Sequence, residues 1–487
     1  MEFLGIFVLV LSFIILLVIG VPIAFSIGIS GILTMLVSID FIPALTTFSH
    51  RMATGLDSFA LLAIPFFILA GNIMNSGGIA IRLIDFARIL VGGIPGGVAV
   101  VNVLANMLFG AISGSAAASA SAIGSIMQPE MKKEGYPENF SAAVNIASAT
   151  TGLSIPPSNI LIVYSLASGG VSITALFLAG YIPGILTGIG IMITALTMLI
   201  YKKDGAKAAM KGLGVSALII AGLILLLQGV LFSKATFTAE TNKILLYIAI
   251  AAFGVWATIK TINNKKRALE GTRKFLDAIP SLFMLVIVIG GIVVGLFTAT
   301  EASAIAVLYS LILAFIYREM SVKDLPDIIL RSVKTTGIVM LLIATSLALS
   351  WIMAYLNIPQ NVSSGLITLT DSPFMIMLLI NIILLMVGVF MDMTPAVLIF
   401  TPIFLPIVTA LGIDPIHFGI IMVLNLSVGL CTPPVGSVLF IGCSVAGLSI
   451  DQVIKPLIPM FISMIVVLLL VTYIPEIALW LPATFGF

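Results

Sequence analysis

Apolar residues follow one another in runs of about 20 along almost the whole chain, and short polar segments separate the runs. A transmembrane helix needs ~20 mainly apolar residues to cross a hydrocarbon core ~30 Å thick. The chain starts MEFLGIFVLV, with an acidic residue and no basic one, which predicts a retained first span rather than a signal peptide. The pattern predicts an all-α polytopic membrane protein with about 12 full spans and two re-entrant hairpins.

Two of the apolar runs contain a turn sequence where a membrane helix is expected to continue. GLSIPPSNILIVYS at 152–165 and GLCTPPVGSVLFIG at 429–442 both read Gly-Leu-x-x-Pro-Pro. Adjacent prolines remove two N–H donors and free carbonyl groups in the preceding turn. Each of these runs is therefore predicted to be a broken helix.

The two turn sequences belong to a longer internal repeat. Gly110 precedes Gly152 by 42 residues, and Gly388 precedes Gly429 by 41 residues. Two further pairs of segments match in the same order, namely 60–74 with 340–354 and 16–25 with 292–301. The matches predict two copies of one unit.

The repeat divides the chain into a first copy at 1–200, a connecting segment at 201–274 and a second copy at 275–487. The connecting segment contains an extra pair of spans at 214–262. The first copy is predicted to contain scaffold spans in 1–75, an amphipathic arm at 78–93, a hairpin at 95–128, a broken span at 139–166 and a span at 173–200. The second is predicted to contain scaffold spans in 278–356, an arm at 359–372, a hairpin at 374–412, a broken span at 416–443 and a final span at 452–481.

The basic residues indicate how the two copies are oriented. If each hairpin enters and leaves on one face, each copy crosses the membrane an odd number of times, so the second copy is inverted. All 22 Lys and Arg residues then fall on one side except Arg51, Lys234 and Lys243. The positive-inside rule makes that side cytoplasmic and places both termini outside the cytoplasm. Charge does not exclude that a hairpin is instead two full crossings.

The broken helices and hairpin tips are the candidate site. Unwound backbone in a membrane needs partners from protein or from a water-filled cavity. Freed carbonyls with hydroxyl groups suit a hard cation such as Na⁺, and half-helix N-termini suit a carboxylate. Matched breaks in inverted halves point to a transporter's midplane site. The alternatives are that the breaks are packing kinks, and that the serines of the first tip serve close helix packing.

Asp392, in GVFMDMTP, is the acidic residue placed at membrane depth in the second hairpin. An intramembrane carboxylate is a functional candidate by default. It is expected to bind Na⁺, to carry a proton, or to cap the helix that begins at Thr394-Pro395. Asn145, Asn159 and Asn425 lie on or beside the broken spans, where they either line the site or bridge helices.

Composition supports the membrane class and gives little support to other functions. Only 9% of the residues are charged and the mean hydropathy is +1.27, while the net charge of +2 carries no information about acidic partners or nucleic acid. The two cysteines, Cys431 and Cys443, lie on one apolar segment and are expected to be small core residues. Because the sequence offers no nucleophile–base pair, metal cluster or nucleotide loop, it predicts neither an enzyme nor an organic cofactor.

LLAIPFFILAGNIM, GAISGSAAAS, GLFTATEASA and the paired Gly-Leu-x-x-Pro-Pro elements together resemble the large membrane subunit of a tripartite ATP-independent periplasmic (TRAP) transporter, in the ion-transporter superfamily. The resemblance covers nearly the whole chain outside about 205–265. It implies an elevator-type, Na⁺-driven importer of organic acids (C4-dicarboxylates, sialic acid or other sugar acids) in a bacterial or archaeal cytoplasmic membrane. It also implies two partners: a soluble extracytoplasmic substrate-binding protein and a small four-helix membrane subunit, expected as a separate chain.

The resemblance also assigns site residues. The first Na⁺ site would use Ser113, Ser115, Gly152, Ile155 and Pro157, mostly through backbone carbonyls. The second Na⁺ site would use Asp392, Thr394, Gly429, Thr432 and Pro434. The substrate would bind near Ser154, Asn159 and Ser437. The extra span pair departs from the family pattern and places docking of the small subunit in question.

A second function fits the same pattern. A stand-alone carrier that exchanges dicarboxylate or citrate with Na⁺ or H⁺ shares the inverted hairpins but needs no binding protein. Its proton-coupled version would depend on Asp392.

Overall fold

The computed structural model describes residues 2–92, 96–201, 265–370, 372–433 and 436–487. In these ranges every regular element is a helix. The first part of the chain contains α1 (Glu2–Val18), α2 (Ile23–Met35), α3 (Phe41–Leu56), α4 (Ala63–Ser76), α5 (Ile79–Val91), α6 (Gly97–Ser113), α7 (Ala116–Lys133), α8 (Glu138–Ala149), α9 (Asn159–Ala167) and α10 (Ile173–Tyr201). The second part contains α11 (Lys265–Val293), α12 (Ala299–Ile316), α13 (Leu325–Tyr355), α14 (Ile358–Leu369), α15 (Pro373–Phe390), α16 (Met393–Ala410), α17 (Pro415–Gly429), α18 (Ser437–Ala446), α19 (Ile450–Tyr473) and α20 (Glu476–Thr484).

The helices have the length and composition of a polytopic membrane protein. Within the described ranges, eight helices are long and apolar enough to cross a bilayer, with mean hydropathies from 1.7 to 2.6. Shorter apolar helices, among them α1, α2, α6, α17 and α18, accompany them. The extra span pair predicted at 214–262 lies outside the described residues.

Helices α1–α4 and α11–α13 form one group, which we call the scaffold. Within it α4 packs along α12 and α13, and α13 also packs against α2 and α3. Small side chains bring α4 close to its neighbours, since a Cβ added at Gly77 would lie 2.9 Å from the Ala314 Cβ. Asn72 Nδ2 donates a hydrogen bond to Ser332 Oγ at 2.8 Å. Close packing and interhelical hydrogen bonds are what hold helices together in lipid.

Helices α6–α10 and α15–α19 form the second group, the hairpin bundle. α6 and α7 make the first hairpin, and α15 and α16 make the second. The second half of each broken span packs against the opposite hairpin, α9 against α16 and α18 against α7. The Tyr164 hydroxyl of α9 donates to the Pro415 carbonyl of α17 at 2.6 Å, which ties the two broken spans together.

The first arm, predicted at 78–93, is α5, and ionic contacts tie it to both groups. The Arg82 guanidinium lies 3.6 Å from the Tyr317 ring centroid and pairs with Glu319 at 3.7 Å, at the end of scaffold helix α12. Towards the hairpin bundle, Arg88 pairs with Glu130 of α7. The arm therefore bridges the scaffold and the first hairpin.

The predicted final span at 452–481 is interrupted, which corrects its expected boundary. α19 ends at Tyr473, and a separate helix, α20, begins at Glu476. Pro475 lies between them and has no N–H to donate to a continuing helix. The earlier end is therefore a local consequence of one proline.

An apolar crevice separates the first scaffold helix from the second hairpin. Its volume is about 1130 Å³, slightly above the ~300–1,000 Å³ of ordinary ligand pockets. Its walls include Leu9, Phe13, Ile14, Met386, Phe390 and Phe400. The two groups of helices are thus not packed against each other along this boundary.

Candidate functional site

The tip of the first hairpin is a short turn of small polar residues. α6 ends at Ser113, and Gly114 has φ of +60°, a left-handed conformation that glycine adopts without steric cost. Ser115 is the N-cap of α7, and its hydroxyl accepts a hydrogen bond from the Ala118 N–H at 3.2 Å. A Cβ added at Gly114 would lie 3.0 Å from Asn159 Nδ2. The tip therefore contacts the start of α9.

The first Gly-Leu-x-x-Pro-Pro sequence is unwound, as predicted. α8 ends at Ala149, a single 3₁₀ turn follows at Thr151–Leu153, and α9 begins at Asn159. Among the described residues, no hydrogen bond reaches the carbonyl oxygens of the three predicted ligands in this segment, Gly152, Ile155 and Pro157. All three residues are buried. Buried carbonyls without a donor are uncommon, and a cation would satisfy them.

Two of the three predicted substrate residues lie in this segment and keep unpaired oxygens. Ser154 is 1% exposed, and its Oγ has no partner in the described part of the chain. The Asn159 Oδ1, at the start of α9, is likewise buried and without a partner there. Ser158, by contrast, donates its hydroxyl proton to the Leu153 carbonyl and stabilises the turn. Ser154 and Asn159 are therefore polar groups free to contact a ligand.

Asp392 lies at the tip of the second hairpin, directly before α16. It holds the N-cap position of a helix that begins at Met393, one residue earlier than predicted, but its side chain makes no capping hydrogen bond. The Met393 backbone N–H and the Ser437 hydroxyl interact with the carboxylate. The residue as a whole has access to solvent, whereas its carboxylate is surrounded by protein atoms. Capping thus does not explain this carboxylate.

The described part of the second Gly-Leu-x-x-Pro-Pro sequence also departs from the helix. α17 ends at Gly429 and α18 begins at Ser437. The Gly429 carbonyl accepts from the Thr432 N–H at 2.9 Å, and the Thr432 carbonyl accepts from the Gly436 N–H at 3.0 Å. The Thr432 hydroxyl donates to the Val428 carbonyl at 2.9 Å, which leaves its oxygen able to accept.

The other two predicted ligands of the second Na⁺ site are Thr394 and Pro434. Thr394 lies in the first turn of α16 and is partly exposed. Pro434 lies outside the described residues. The third predicted substrate residue, Ser437, lies beside Asp392 rather than in the first broken segment.

Paired glycines hold each hairpin against its broken span. A Cβ added at Gly110 would lie 2.8 Å from the Gly152 Cα, and one added at Gly388 would lie 3.1 Å from the Gly429 Cα. The backbones of each pair therefore touch, and no larger side chain fits between them. These are the same four glycines whose spacing defines the sequence repeat.

Sequence reasoning missed a stripe of glycines on α10. Gly180 and Gly184 pack on the unwound segment, where a Cβ at Gly180 would collide with the Ser154 carbonyl. Gly188, one turn further on, packs on the Met107 side chain of α6. The spacing of four residues is the small-x-x-x-small pattern of closely packed membrane helices, and this signal could have located the stripe.

The three asparagines left open by the sequence have different roles. Asn145 bridges helices, donating to the Ala120 carbonyl at 2.8 Å and accepting from Asn106 Nδ2 at 3.1 Å. Asn425 Nδ2 donates to Asn381 Oδ1 at 2.8 Å, while its own buried Oδ1 has no partner in the described part of the chain. Asn145 is thus structural, whereas Asn425 and Asn159 each retain a free acceptor.

The helix ends give the site its electrostatic character. Four helices, α7, α9, α16 and α18, begin at the tips and breaks, and four others, α6, α8, α15 and α17, end there. Helix N-termini present N–H groups and partial positive charge, which favour anions, and C-termini present carbonyls, which favour cations. The arrangement can bind a small cation and an anionic molecule close together.

Comparison with known proteins agrees with this arrangement. Residues 10–477 match the family described as "Tripartite ATP-independent periplasmic transporter, DctM component". The chain is 49% identical to the Salmonella typhimurium "Uncharacterized protein YgiK", over 98% of this chain and 96% of the relative. It is 37% identical to the "C4-dicarboxylate TRAP transporter large permease protein DctM" of Pseudomonas aeruginosa (95% and 94% covered). It is 32% identical to the "Sialic acid TRAP transporter large permease protein SiaM" of Vibrio cholerae (96% of each chain).

Among solved structures, the YdaH transporter of Alcanivorax borkumensis has a similar fold. The TM-score is 0.57 at 13% sequence identity, covering 90% of this chain and 89% of that one. At this identity the likeness concerns the fold alone. The family match, by contrast, extends over almost the whole sequence and over both broken segments. The chain belongs to the TRAP transporter family as its large membrane permease subunit, and it is a transport protein rather than an enzyme.

Proposed function

We propose that this chain is the permease subunit of a Na⁺-coupled secondary transporter that imports an organic acid. The observation that carries the proposal is the set of carbonyl oxygens at the buried residues Gly152, Ile155 and Pro157, which receive no hydrogen bond from the described residues and lie beside a hairpin tip. Na⁺ takes oxygen ligands, and buried carbonyls without donors are costly unless a cation occupies them. A sodium ion bound there would stabilise the conformation that also binds the substrate.

The two Na⁺ sites would differ in chemistry. The first is made of neutral oxygens from Ser113, Ser115 and the unwound segment at 152–157. The second includes the Asp392 carboxylate together with Thr394 and Thr432, with the Gly429 carbonyl already hydrogen-bonded. A carboxylate offers a full charge, whereas carbonyls offer only dipoles. We expect the Asp392 carboxylate to attract Na⁺ more strongly than any single neutral oxygen of the first site.

The substrate would bind between the tips as an anion. The free acceptors and hydroxyls of Ser154, Asn159 and Ser437, with the N-termini of α9 and α18, would contact it. Relatives of similar identity are named for a C4-dicarboxylate and for sialic acid, which are both carboxylates. The proposal therefore covers C4-dicarboxylate, sialic acid and other sugar acids as a class.

An elevator motion of the hairpin bundle past the scaffold would carry ion and substrate across the membrane. Three features support two inverted copies and such a motion. They are the matching glycine contacts, the packing of α9 and α18 each against the hairpin of the other half, and the crevice beside the second hairpin. Inverted repeats with broken helices at the midplane are typical of alternating-access transporters.

The distribution of basic residues would place this protein in the inner membrane with both termini outside the cytoplasm. A C-terminal alkaline phosphatase fusion should be active in whole cells, and an inactive fusion would contradict this topology.

TRAP large permeases work with a small membrane subunit and a substrate-binding protein. We propose both partners for this chain, the small subunit as a separate four-helix protein.

The test is uptake into proteoliposomes that contain this chain and its small subunit. We expect accumulation of a radiolabelled organic acid only with an inward Na⁺ gradient and with the binding protein added outside. Liposomes with choline in place of Na⁺ are the control. Uptake of the free acid without the binding protein would identify a stand-alone carrier, and uptake driven by a proton gradient alone would exclude Na⁺ coupling.

A further inference from the structure

Scaffold helix α4 is anchored on one side and faces the first hairpin on the other. Asn72 donates to Ser332 of α13 at 2.8 Å, and Gly77 packs on Ala314 of α12. α4 also packs against α6 and α9 of the hairpin bundle. Because its anchors belong to the scaffold, α4 has little freedom to move away from the hairpin.

The contact between α4 and the hairpin tip is made at Gly71. A Cβ added at this buried glycine would lie 3.1 Å from the Ser113 carbonyl oxygen and 3.2 Å from the Ser113 Cα. Ser113 is the last residue of α6, so its carbonyl has no partner within the helix. It is also one of the oxygens that we assign to the first Na⁺ site.

We propose that Gly71 is a positioning residue through which the scaffold sets the geometry, and hence the affinity, of the first Na⁺ site. This inference depends on the proposed function, since it takes Ser113 to be a sodium ligand. The absent side chain lets the Ser113 carbonyl rest against α4 in the orientation that the ion needs. When the hairpin bundle moves, the carbonyl loses this support, and sodium affinity changes with the position of the bundle.

The size of the contact makes the effect measurable. An alanine at 71 would displace its neighbour by a few tenths of an ångström, because contacts of 3.1–3.2 Å are tighter than ordinary Cβ packing. Productive binding geometries are held to within about 0.5 Å, so a displacement of a few tenths of an ångström uses up much of that tolerance and weakens binding. Since α4 is anchored by Asn72 and Gly77, the displacement would fall on Ser113.

The experiment compares Gly71→Ala with Gly337→Ala. Gly337 is also inside a scaffold helix, but a Cβ there meets nothing within 4 Å. Purified proteins are titrated with NaCl at constant ionic strength, with choline chloride as the balancing salt, and thermal stability is followed. We expect the Na⁺ concentration at half-maximal stabilisation to rise at least about threefold in Gly71→Ala and to stay unchanged in Gly337→Ala.

Uptake measurements separate positioning from general damage. Gly71→Ala should raise the Na⁺ concentration for half-maximal uptake while the maximal rate, at saturating Na⁺, changes less. Adding Ser332→Ala removes the hydrogen bond that anchors α4 and should restore part of the sodium affinity. If Gly71→Ala does not fold, Ser332→Ala alone should still shift the sodium titration.

The outcomes distinguish the inference from the proposed function. If the wild-type protein shows no Na⁺-dependent stabilisation or uptake, Na⁺ coupling itself is wrong. If the wild type responds to Na⁺ and Gly71→Ala gives the same titration curve, only the role of Gly71 is wrong. Where Gly71→Ala does not fold, the same conclusion follows if Ser332→Ala gives the wild-type curve. An equal loss of maximal rate and of sodium affinity in Gly71→Ala and Gly337→Ala would likewise reject a specific positioning role.

Discussion

At the scale of single residues, two corresponding tips carry different chemistry. The first tip offers Ser113 and Ser115, and the first broken segment adds carbonyls that receive no hydrogen bond within the described part of the chain. In the second copy Asp392 supplies a carboxylate, while the Gly429 and Thr432 carbonyls already accept backbone hydrogen bonds. The two tips therefore differ in charge, with neutral oxygens at the first and a carboxylate at the second.

Replacement of Asp392 tests its role as a sodium ligand. Asp392→Asn keeps the size of the side chain but removes the charge, and a hydrogen bond or ligand contact to a charged group contributes about 1.5–3 kcal/mol. We expect the Na⁺ concentration for half-maximal uptake to rise by about 10-fold or more. The measurement is initial uptake rate against Na⁺ concentration in proteoliposomes.

Asp40→Asn is the matched control for this substitution. Asp40 is also an N-cap in extended conformation without a side-chain capping bond, but it precedes scaffold helix α3. Its replacement should leave the sodium dependence unchanged. Full transport with unchanged sodium and pH dependence in Asp392→Asn would show that this carboxylate neither binds Na⁺ nor carries a proton.

At the scale of helices, glycine contacts set how closely each hairpin approaches its broken span. Gly110 meets Gly152, and Gly388 meets Gly429, with no room for a Cβ in either pair. The sequence showed these glycines at nearly equal spacing, and the structure gives the reason for the spacing. Each pair holds a hairpin close to its unwound segment, which is what the proposed Na⁺ sites require.

Gly152→Ala is expected to separate the first hairpin from its broken span. The new Cβ would overlap the backbone of Gly110, and overpacking of this kind costs about 1–3 kcal/mol. We expect a lower midpoint of thermal unfolding and loss of sodium-dependent stabilisation, measured on the purified protein.

The comparison variant is Gly290→Ala, inside α11, where a Cβ meets nothing within 4 Å. This change removes the entropic disadvantage of glycine in a helix, about 1 kcal/mol, without a steric clash. It should leave thermal stability unchanged or raise it slightly. An equal response of the two variants would contradict the tight backbone contact at Gly152.

At the scale of the whole molecule, the two groups of helices are joined by an arm and by direct packing of α4, and a crevice separates them between α1 and the second hairpin. α5 contacts the scaffold through Arg82 and the first hairpin through Arg88. The boundary between α1 and the second hairpin is instead an open apolar space. Such a boundary offers little resistance to sliding in lipid, because its lining is almost entirely apolar and no hydrogen bond across it has to be broken.

Cross-linking across the crevice should stop transport. Phe13→Cys on α1 and Phe390→Cys on α15 place one thiol on each wall. The native Cys431 and Cys443 are buried, so a bifunctional maleimide should react with the introduced pair. We expect uptake to be lost in the cross-linked fraction, measured against the same protein treated with a monofunctional maleimide.

A cysteine pair within the scaffold controls for effects of the cross-linking reaction itself. A Cβ at Gly5 would lie 3.2 Å from the Leu356 side chain, so Gly5→Cys with Leu356→Cys joins α1 to the end of α13. Because both positions are in one group of helices, this cross-link should leave uptake intact. Continued uptake after joining Phe13→Cys to Phe390→Cys would show that the two groups do not move past each other.

The sequence by itself determined the membrane class, the two breaks and the family. Runs of apolar residues are recognised by their length, and proline acts on the helix in which it stands, so both signals are local. The hairpin tips and the Gly-Leu-x-x-Pro-Pro elements were located for the same reason. Asp392 was also found from sequence, because a carboxylate inside an apolar run is conspicuous.

Only the tertiary structure decided which of these local features meet. The contacts between Gly71 and Ser113, between Asp392 and Ser437, and between α10 and the first broken segment join residues far apart in sequence. An apolar helix in lipid shows no polar face to indicate its neighbour, so its pattern does not reveal its partners. The unpaired oxygens of Ser154 and Asn159 were also beyond sequence analysis, because a polar atom can be identified as unpaired only after its neighbours in the fold are located.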